Sequence, residues 1–183
     1  EILVLKLSSF FCSIFLFFLY LIFFSYLFSS VYSLDLPTEE ELKAVFVYNF
    51  LKFVVWPQKK EKITLCVLGK TDLQTYLLAL DGKTIKDQRI EVKLIDTESI
   101  DRCQALFIGK TTKETLNYAL NVARYNNILT ISDLSGFVKN GGMIEIYSIN
   151  NKLRFDINLK SAQEANLKIS SRLLKLAKKV ISL

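Results

Sequence analysis

At 183 residues the chain is long enough for one domain with its own hydrophobic core and too short to suggest a second. It contains no histidine, which removes the commonest general base and metal ligand and with them the Ser-His and Cys-His nucleophile arrangements. The 24 Lys and Arg exceed the 18 Asp and Glu to give a net charge of +6, but the charges are scattered in short runs, which argues against nucleic acid as a partner.

Between Lys6 and Asp35 no residue is charged, and the stretch from Phe10 to Phe28 is almost wholly apolar and aromatic. An ordinary surface helix would expose one side of such a run to water, so it belongs in a bilayer or a translocon. Lys6 supplies a positive start, and Ser29, Ser30, Val31 and Ser33 form a stretch suited to cleavage before Leu34. The run is also long enough to span a membrane. Residues 1–33 are therefore expected to be a signal peptide or, if uncleaved, an N-terminal anchor, with residues 34–183 as the exported domain. The expected location is the periplasm, or the inner membrane with the domain facing the periplasm; long domains translocate largely regardless of their charge.

The exported part opens with Leu36-Pro37-Thr38-Glu39-Glu40-Glu41, in which Thr38 caps a helix, Glu41 reaches back to it, and the carboxylates suit the positive end of the helix dipole. Leu42, Val45, Phe46, Asn49, Phe50, Phe53 and Val54 mark the expected buried stripe, which ends near Trp56-Pro57. Ile63 to Gly69 reads as a buried strand with a glycine turn, after which Asp72 is expected to cap a helix through Leu80. One glycine without a Walker lysine motif makes this a plain turn and not a nucleotide loop. Thr84-Ile85 and Arg89 to Ile95 read as a hairpin towards an edge of the sheet, and Ala105 to Ile108 as a further buried strand. A helix follows over about 112–125, then a strand over 128–133. After the turn-rich loop from Ser135 to Gly142, the runs 143–149 and 152–158 meet at Asn150-Asn151 as a hairpin, since asparagine tolerates positive φ. The last element reads as one amphipathic helix over 161–181, with Lys168, Arg172, Lys175, Lys178 and Lys179 on its polar side. The expected architecture is α/β: a mixed, mainly parallel sheet covered by helices on both faces, a Rossmann-like sandwich preceded by an N-terminal hydrophobic helix.

Two cysteines, Cys66 and Cys103, remain in the exported part, and in an oxidising compartment a disulfide is expected provided the strands they flank are neighbours. The alternative is a pair of buried thiols. The spacing fits neither a C-x-x-C redox motif nor a zinc site. Paired carboxylates occur only as helix-start residues (Glu39 to Glu41) or surface residues in a loop (Asp96, Glu98, Asp101), without a cation-loop pattern. No cofactor and no catalytic residue is expected.

The string Leu42-Lys43-Ala44-Val45-Phe46-Val47-Tyr48-Asn49-Phe50-Leu51-Lys52-Phe53-Val54-Val55-Trp56-Pro57 resembles the opening signature of the YfiR-like family of exported bacterial proteins. Further matches follow in order at Ile63 to Gly69, Gly82 to Thr84, Cys103 to Ile108, Ile131 to Phe137, Gly141 to Ile144, Leu153 to Leu159 and Leu167 to Ala177. The resemblance implies a periplasmic α/β domain, often a homodimer, without enzyme activity. Its best-known branch restrains a membrane-bound diguanylate cyclase by binding the cyclase's periplasmic part, lowering cyclic di-GMP and biofilm formation, with release linked to cysteine redox state. The expected partner is thus the periplasmic part of an inner-membrane signalling protein, and the membrane itself only through an uncleaved N-terminal segment. The alternative is a small-molecule sensor or carrier with its cleft between the first helix, the Gly136 to Gly142 loop and the sheet. Asn49, Phe137, Gly141, Gly142 and Met143 are the candidate partner or ligand surface, although Asn49 also reads as a buried amide bonded to backbone.

Overall fold

The computed structural model describes residues 17–23 and 36–182. The chain divides into two units, Glu1–Leu36 and Pro37–Leu183. In the first, residues 17–23 are helical, and the remainder of the apolar run and the stretch around Ser33 lie outside the described residues. Among the described residues no helix is long and apolar enough to cross a membrane.

The second unit is built on an eight-stranded sheet in the order β10-β8-β7-β6-β5-β2-β4-β3. Its strands are β2 (Lys62–Leu68), β3 (Thr84–Ile85), β4 (Gln88–Ile95), β5 (Ala105–Ile108), β6 (Leu129–Ser132), β7 (Ile144–Ile149), β8 (Lys152–Asn158) and β10 (Lys179–Ile181). The run β4, β2, β5, β6, β7 is parallel, β3 and β8 pair antiparallel with β4 and β7, and β10 lies parallel to β8. A separate two-stranded ribbon joins β1 (Val54–Val55) to β9 (Lys168–Ile169).

The continuous apolar run of β2 follows from its place in the middle of the sheet, where both faces are covered. Ile63, Leu65 and Val67 point into a core shared with α1 (Glu39–Phe53), α2 (Gln74–Leu78), α4 (Leu159–Glu164) and α5 (Ser171–Leu176), through Val47, Phe50, Leu51, Leu77, Ala162 and Leu173. Cys66 and Leu68 point the other way, into a core formed with the 3₁₀ turn Thr97–Arg102, α3 (Lys113–Tyr125) and Phe137. A fully buried ring such as Phe50 or Phe107 contributes about 2–3 kcal/mol by leaving water.

Several expected features form as read. Thr38 caps α1 by accepting from the Glu41 N–H at 3.1 Å. Asn150 and Asn151 both adopt positive φ, 50° and 57°, at the β7–β8 turn, as a two-residue hairpin requires. Others do not. On α1 the buried residues are Ala44, Val47, Phe50 and Leu51, whereas Leu42 and Val45 of the expected stripe are 39% and 46% exposed. The helix is apolar on nearly every side, so spacing alone did not select the face that packs. Asp72 does not cap α2; the Thr71 hydroxyl accepts from the Leu73 N–H, and the helix has only five residues.

The expected helix over 161–181 is four elements, α4, β9, α5 and β10. Asn166 takes φ 54°, and the Leu167 N–H turns back to the Ala162 carbonyl at 2.9 Å, which closes α4 as a left-handed cap does. Ile169 then pairs with Val54, Ser170 caps α5, and the five basic residues of the supposed polar face are dispersed over the surface.

The chain order places β4 on one side of β2 and β5 on the other, so the crevice where open α/β sheets bind ligands lies beyond the C-terminal ends of β2 and β5. Here it is shut. Lys70 and Lys110 exchange backbone hydrogen bonds of 3.1 and 2.7 Å, and Gly109 N–H donates to the Leu68 carbonyl. The approach needs glycine on both sides: a Cβ on Gly69, at φ +80°, would lie 2.7 Å from the Lys110 oxygen, and one on Gly109 would lie 2.4 Å from the Lys70 oxygen. Gly109→Ala should therefore force the two chains apart and lower stability by about 1–3 kcal/mol, read as a lower urea midpoint at unchanged m-value.

Candidate functional site

The signature stretch fastens α1 to five different parts of the domain. Lys43 Nζ lies 3.1 Å from Glu39 Oε1 and 3.3 Å from Asp133 Oδ2, which ties the helix to the end of β6. Burial of the Lys43 side chain opposes its charge, but the hydrogen bonds and charges of Glu39 and Asp133 outweigh that and hold the ammonium above its ordinary pKa. The Tyr48 hydroxyl donates to the Thr84 carbonyl of β3 at 3.0 Å, with the Lys52 ammonium 4.2 Å from the Tyr48 ring centre. Phe46 and Phe50 pack against Phe155 of β8 with ring centres 6.0 and 5.0 Å apart. The Phe53 carbonyl accepts from Ser170 N–H, and Trp56 Nε1 donates to the Gln104 carbonyl at 2.9 Å.

Trp56 and Pro57 stand at the N-terminal ends of the parallel strands, the opposite end from the closed crevice, and Trp56 is a wall of three clefts. One of about 260 Å³ opens between Trp56, the Lys59-Lys60 stretch and the β3–β4 turn. A second, of about 100 Å³, reaches Cys103, Asn126 and Asn127, and a third, wider one of about 690 Å³ runs past Gln163, Asn166 and Lys168. The sequence carries no signal for Lys59, Lys60, Lys86 or Gln104 as site residues. Trp56-Pro57 stands out there as a helix stop and as the end of the signature, and nothing local reveals that residues 56, 86 and 104 converge.

Cys66 and Cys103 form a disulfide with Cα atoms 5.9 Å apart. Both are buried on the α3 side, between the adjacent strands β2 and β5. The remaining candidates do not form one surface. Phe137 is 1% exposed in the core on the α3 side, and Gly142 lies against its ring, where a Cβ would come within 2.2 Å of it. Met143 is 2% exposed in the core on the α1 side, and its N–H donates to Thr130 Oγ1. Gly141 is partly exposed at φ +96°, and Asn49 is half-buried on α1. The loop from Gly136 to Gly142 is held by Glu145, whose carboxylate accepts from Gly136 and Val138 N–H at 2.9 and 3.1 Å. Among the described residues no group of three or more His, Cys, Asp or Glu is placed to hold a metal ion.

A family profile described as YfiR/HmsC-like, DUF4154, matches residues 40–178, from the start of α1 to the approach to β10. The chain belongs to the YfiR/HmsC-like family. That family is known in periplasmic regulation and is regulatory rather than catalytic. No curated protein matches the chain in sequence. Among solved structures the domain is similar in fold to an ABC domain from Streptococcus pneumonia in complex with L-Trp, at 12% identity and TM-score 0.51. It is also similar to a conserved domain protein from Vibrio cholerae O1 biovar El Tor, at 8% identity and TM-score 0.53. The matches cover 78% and 79% of this chain but only 60% of each of those chains, and at such identities the likeness is one of fold alone.

Two measurements test how this YfiR-like domain is held together. The disulfide spans 37 positions, so reducing it should cost about 4 kcal/mol in the chain-entropy account, seen as a lower urea midpoint with reductant and no such change in a Cys66→Ala, Cys103→Ala variant. Lys43→Met should cost about 2 kcal/mol at neutral pH by leaving two carboxylates unpaired. Because the Lys43 pKa is raised in the folded state, the pair's contribution is full below about pH 10 and is lost as pH rises through the folded value. The difference between wild type and variant should therefore shrink in urea titrations as pH is taken above the ordinary lysine pKa.

Proposed function

We propose that this domain works in the periplasm as a non-catalytic regulator that binds the periplasmic part of a membrane-bound signalling enzyme of the diguanylate cyclase type and restrains it. The observation that carries the reading is the YfiR/HmsC-like match over residues 40–178. Two physical features support it. The crevice where an α/β sheet of this topology would take a nucleotide is closed by the Lys70–Lys110 backbone bridge, so the domain acts on nucleotide levels through another protein. The uncharged apolar run before Asp35 suits delivery to the compartment that holds the outer part of such an enzyme.

Deleting the protein in its own cells should raise cyclic di-GMP, and re-expressing the full chain should lower it again. In-cell crosslinking of the full chain should recover an inner-membrane protein carrying a diguanylate cyclase domain. Unchanged nucleotide levels together with no such protein in the crosslinked fraction would overturn the proposal.

A further inference from the structure

We propose that the 260 Å³ cleft beside Trp56 is a binding site for a small organic anion, an aromatic ring carrying one acidic substituent. This inference stands apart from the choice of protein partner.

The walls are apolar at the back, where Val54 and Ile63 join Trp56, and donor-rich at the mouth, where Lys59, Lys60 and Lys86 converge. No carboxylate lines the cleft, and none of the three lysines forms an ion pair among the described residues. Glu61 and Asp87 lie outside it, lining the adjoining depression with Lys59 and Lys60.

Two further observations point to a ligand. Gln104 is only 7% exposed, and its side-chain oxygen accepts from Thr64 N–H at 2.8 Å, which fixes the amide orientation. Its amide nitrogen donates to no protein group among the described residues, and since no buried side-chain nitrogen or oxygen there lacks a partner, it is open to water where the residue lines the cleft. A donor fixed in orientation and facing only water is one that a bound acceptor group can take over. The second observation is Lys86. It adopts φ 53° in the two-residue β3–β4 connection, a conformation for which hairpins favour glycine or asparagine. A long cationic side chain at such a position gains nothing from the turn itself, and backbone strain of this kind gathers at ligand-holding sites.

The volume limits the occupant. At about 260 Å³ it lies just below the usual span of ligand pockets, roughly 300–1,000 Å³, so a one-ring molecule fits and a cyclic dinucleotide does not. Apolar walls take the ring, while the lysines and the Gln104 amide take the anionic group; lysine ammonium groups serve carboxylate and phosphate alike.

Trp56 is the single tryptophan of the chain, so its emission reports on the three clefts it walls, and Lys86, which lines this cleft and neither of the other two, assigns the response to it. The full chain in detergent micelles is titrated with benzoate and with phenyl phosphate, each beside a neutral counterpart, benzamide and benzyl alcohol. The expected result is a saturable change in Trp56 emission with at least one acid, at an affinity at least about tenfold above that of its neutral counterpart. Which acid binds more tightly identifies the acidic group. Lys86→Gly should keep or raise the melting temperature, because glycine adopts positive φ freely, while weakening binding by about tenfold. Lys60→Gln should weaken binding similarly, and the hydrogen bond from Gln88 to the Lys60 carbonyl does not involve the side chain that is changed. No saturable response to either acid, equal affinity for acid and neutral counterpart, or unchanged affinity in both variants would each overturn the proposal.

Discussion

Everything in this domain is arranged around the anchoring of α1 across one face of the sheet. The helix is bound by an ion pair to the end of β6, by a tyrosine hydroxyl to β3, by an aromatic cluster to β8, by its last carbonyl to Ser170 and by the Trp56 indole to the entrance of β5. These contacts reach strands near both ends of the eight-stranded order. A twisted sheet with one face so covered cannot slide or open strand by strand without breaking several of them together. The signature residues are thus in the first place an architectural device, and Trp56 among them is also the wall shared by three clefts.

The two ends of the sheet have opposite characters. At the C-terminal end of the parallel strands, the position that usually serves ligands is filled by backbone bonded to backbone, and Gly69 and Gly109 are there because no side chain fits between the two chains. At the N-terminal end, Trp56 leaves room on its several sides, with lysines at the rim of one cleft and the buried disulfide behind another. Cys103 lines that second cleft while Cys66 lies in the interior of β2. The covalent link therefore joins the core on the α3 side to the end of the molecule where surface features gather.

The C-terminal segment shows why part of the fold could not be read in advance. Ala162, Ala165, Ile169 and Leu173 keep helical spacing, yet Asn166 reverses the chain, and Ile169 is buried by pairing with Val54 more than a hundred positions earlier. The local pattern was compatible with both outcomes, and the choice was made by a distant strand. The same holds for Phe137 and Met143. Both stood as candidates for an exposed surface beside the glycines, but the Glu145 carboxylate draws the loop around Phe137 down by two backbone N–H groups, the Met143 N–H is held by Thr130, and the two side chains lie in separate cores. Of the cleft beside Trp56, only the tryptophan stood out in the sequence, as a helix stop. Gln104 and Lys86 carry no signal until β5 and the β3–β4 turn are placed next to it.

What the amino-acid sequence determined by itself was local in origin or carried by ordered motifs. It comprised the α/β alternation, the buried central strands, the cap at Thr38, the Asn150-Asn151 turn, the expectation that Cys66 and Cys103 pair, and the family. These depend on apolar period, on backbone preferences of single residues, or on cysteine being scarce. The tertiary structure alone decided which side of α1 is buried, that the final segment breaks into four elements, that the glycine turns close the usual crevice, and that three lysines and the Gln104 amide meet beside Trp56. Each of those depends on groups far apart in the chain competing for the same space or the same hydrogen bond, and periodicity carries no record of that competition.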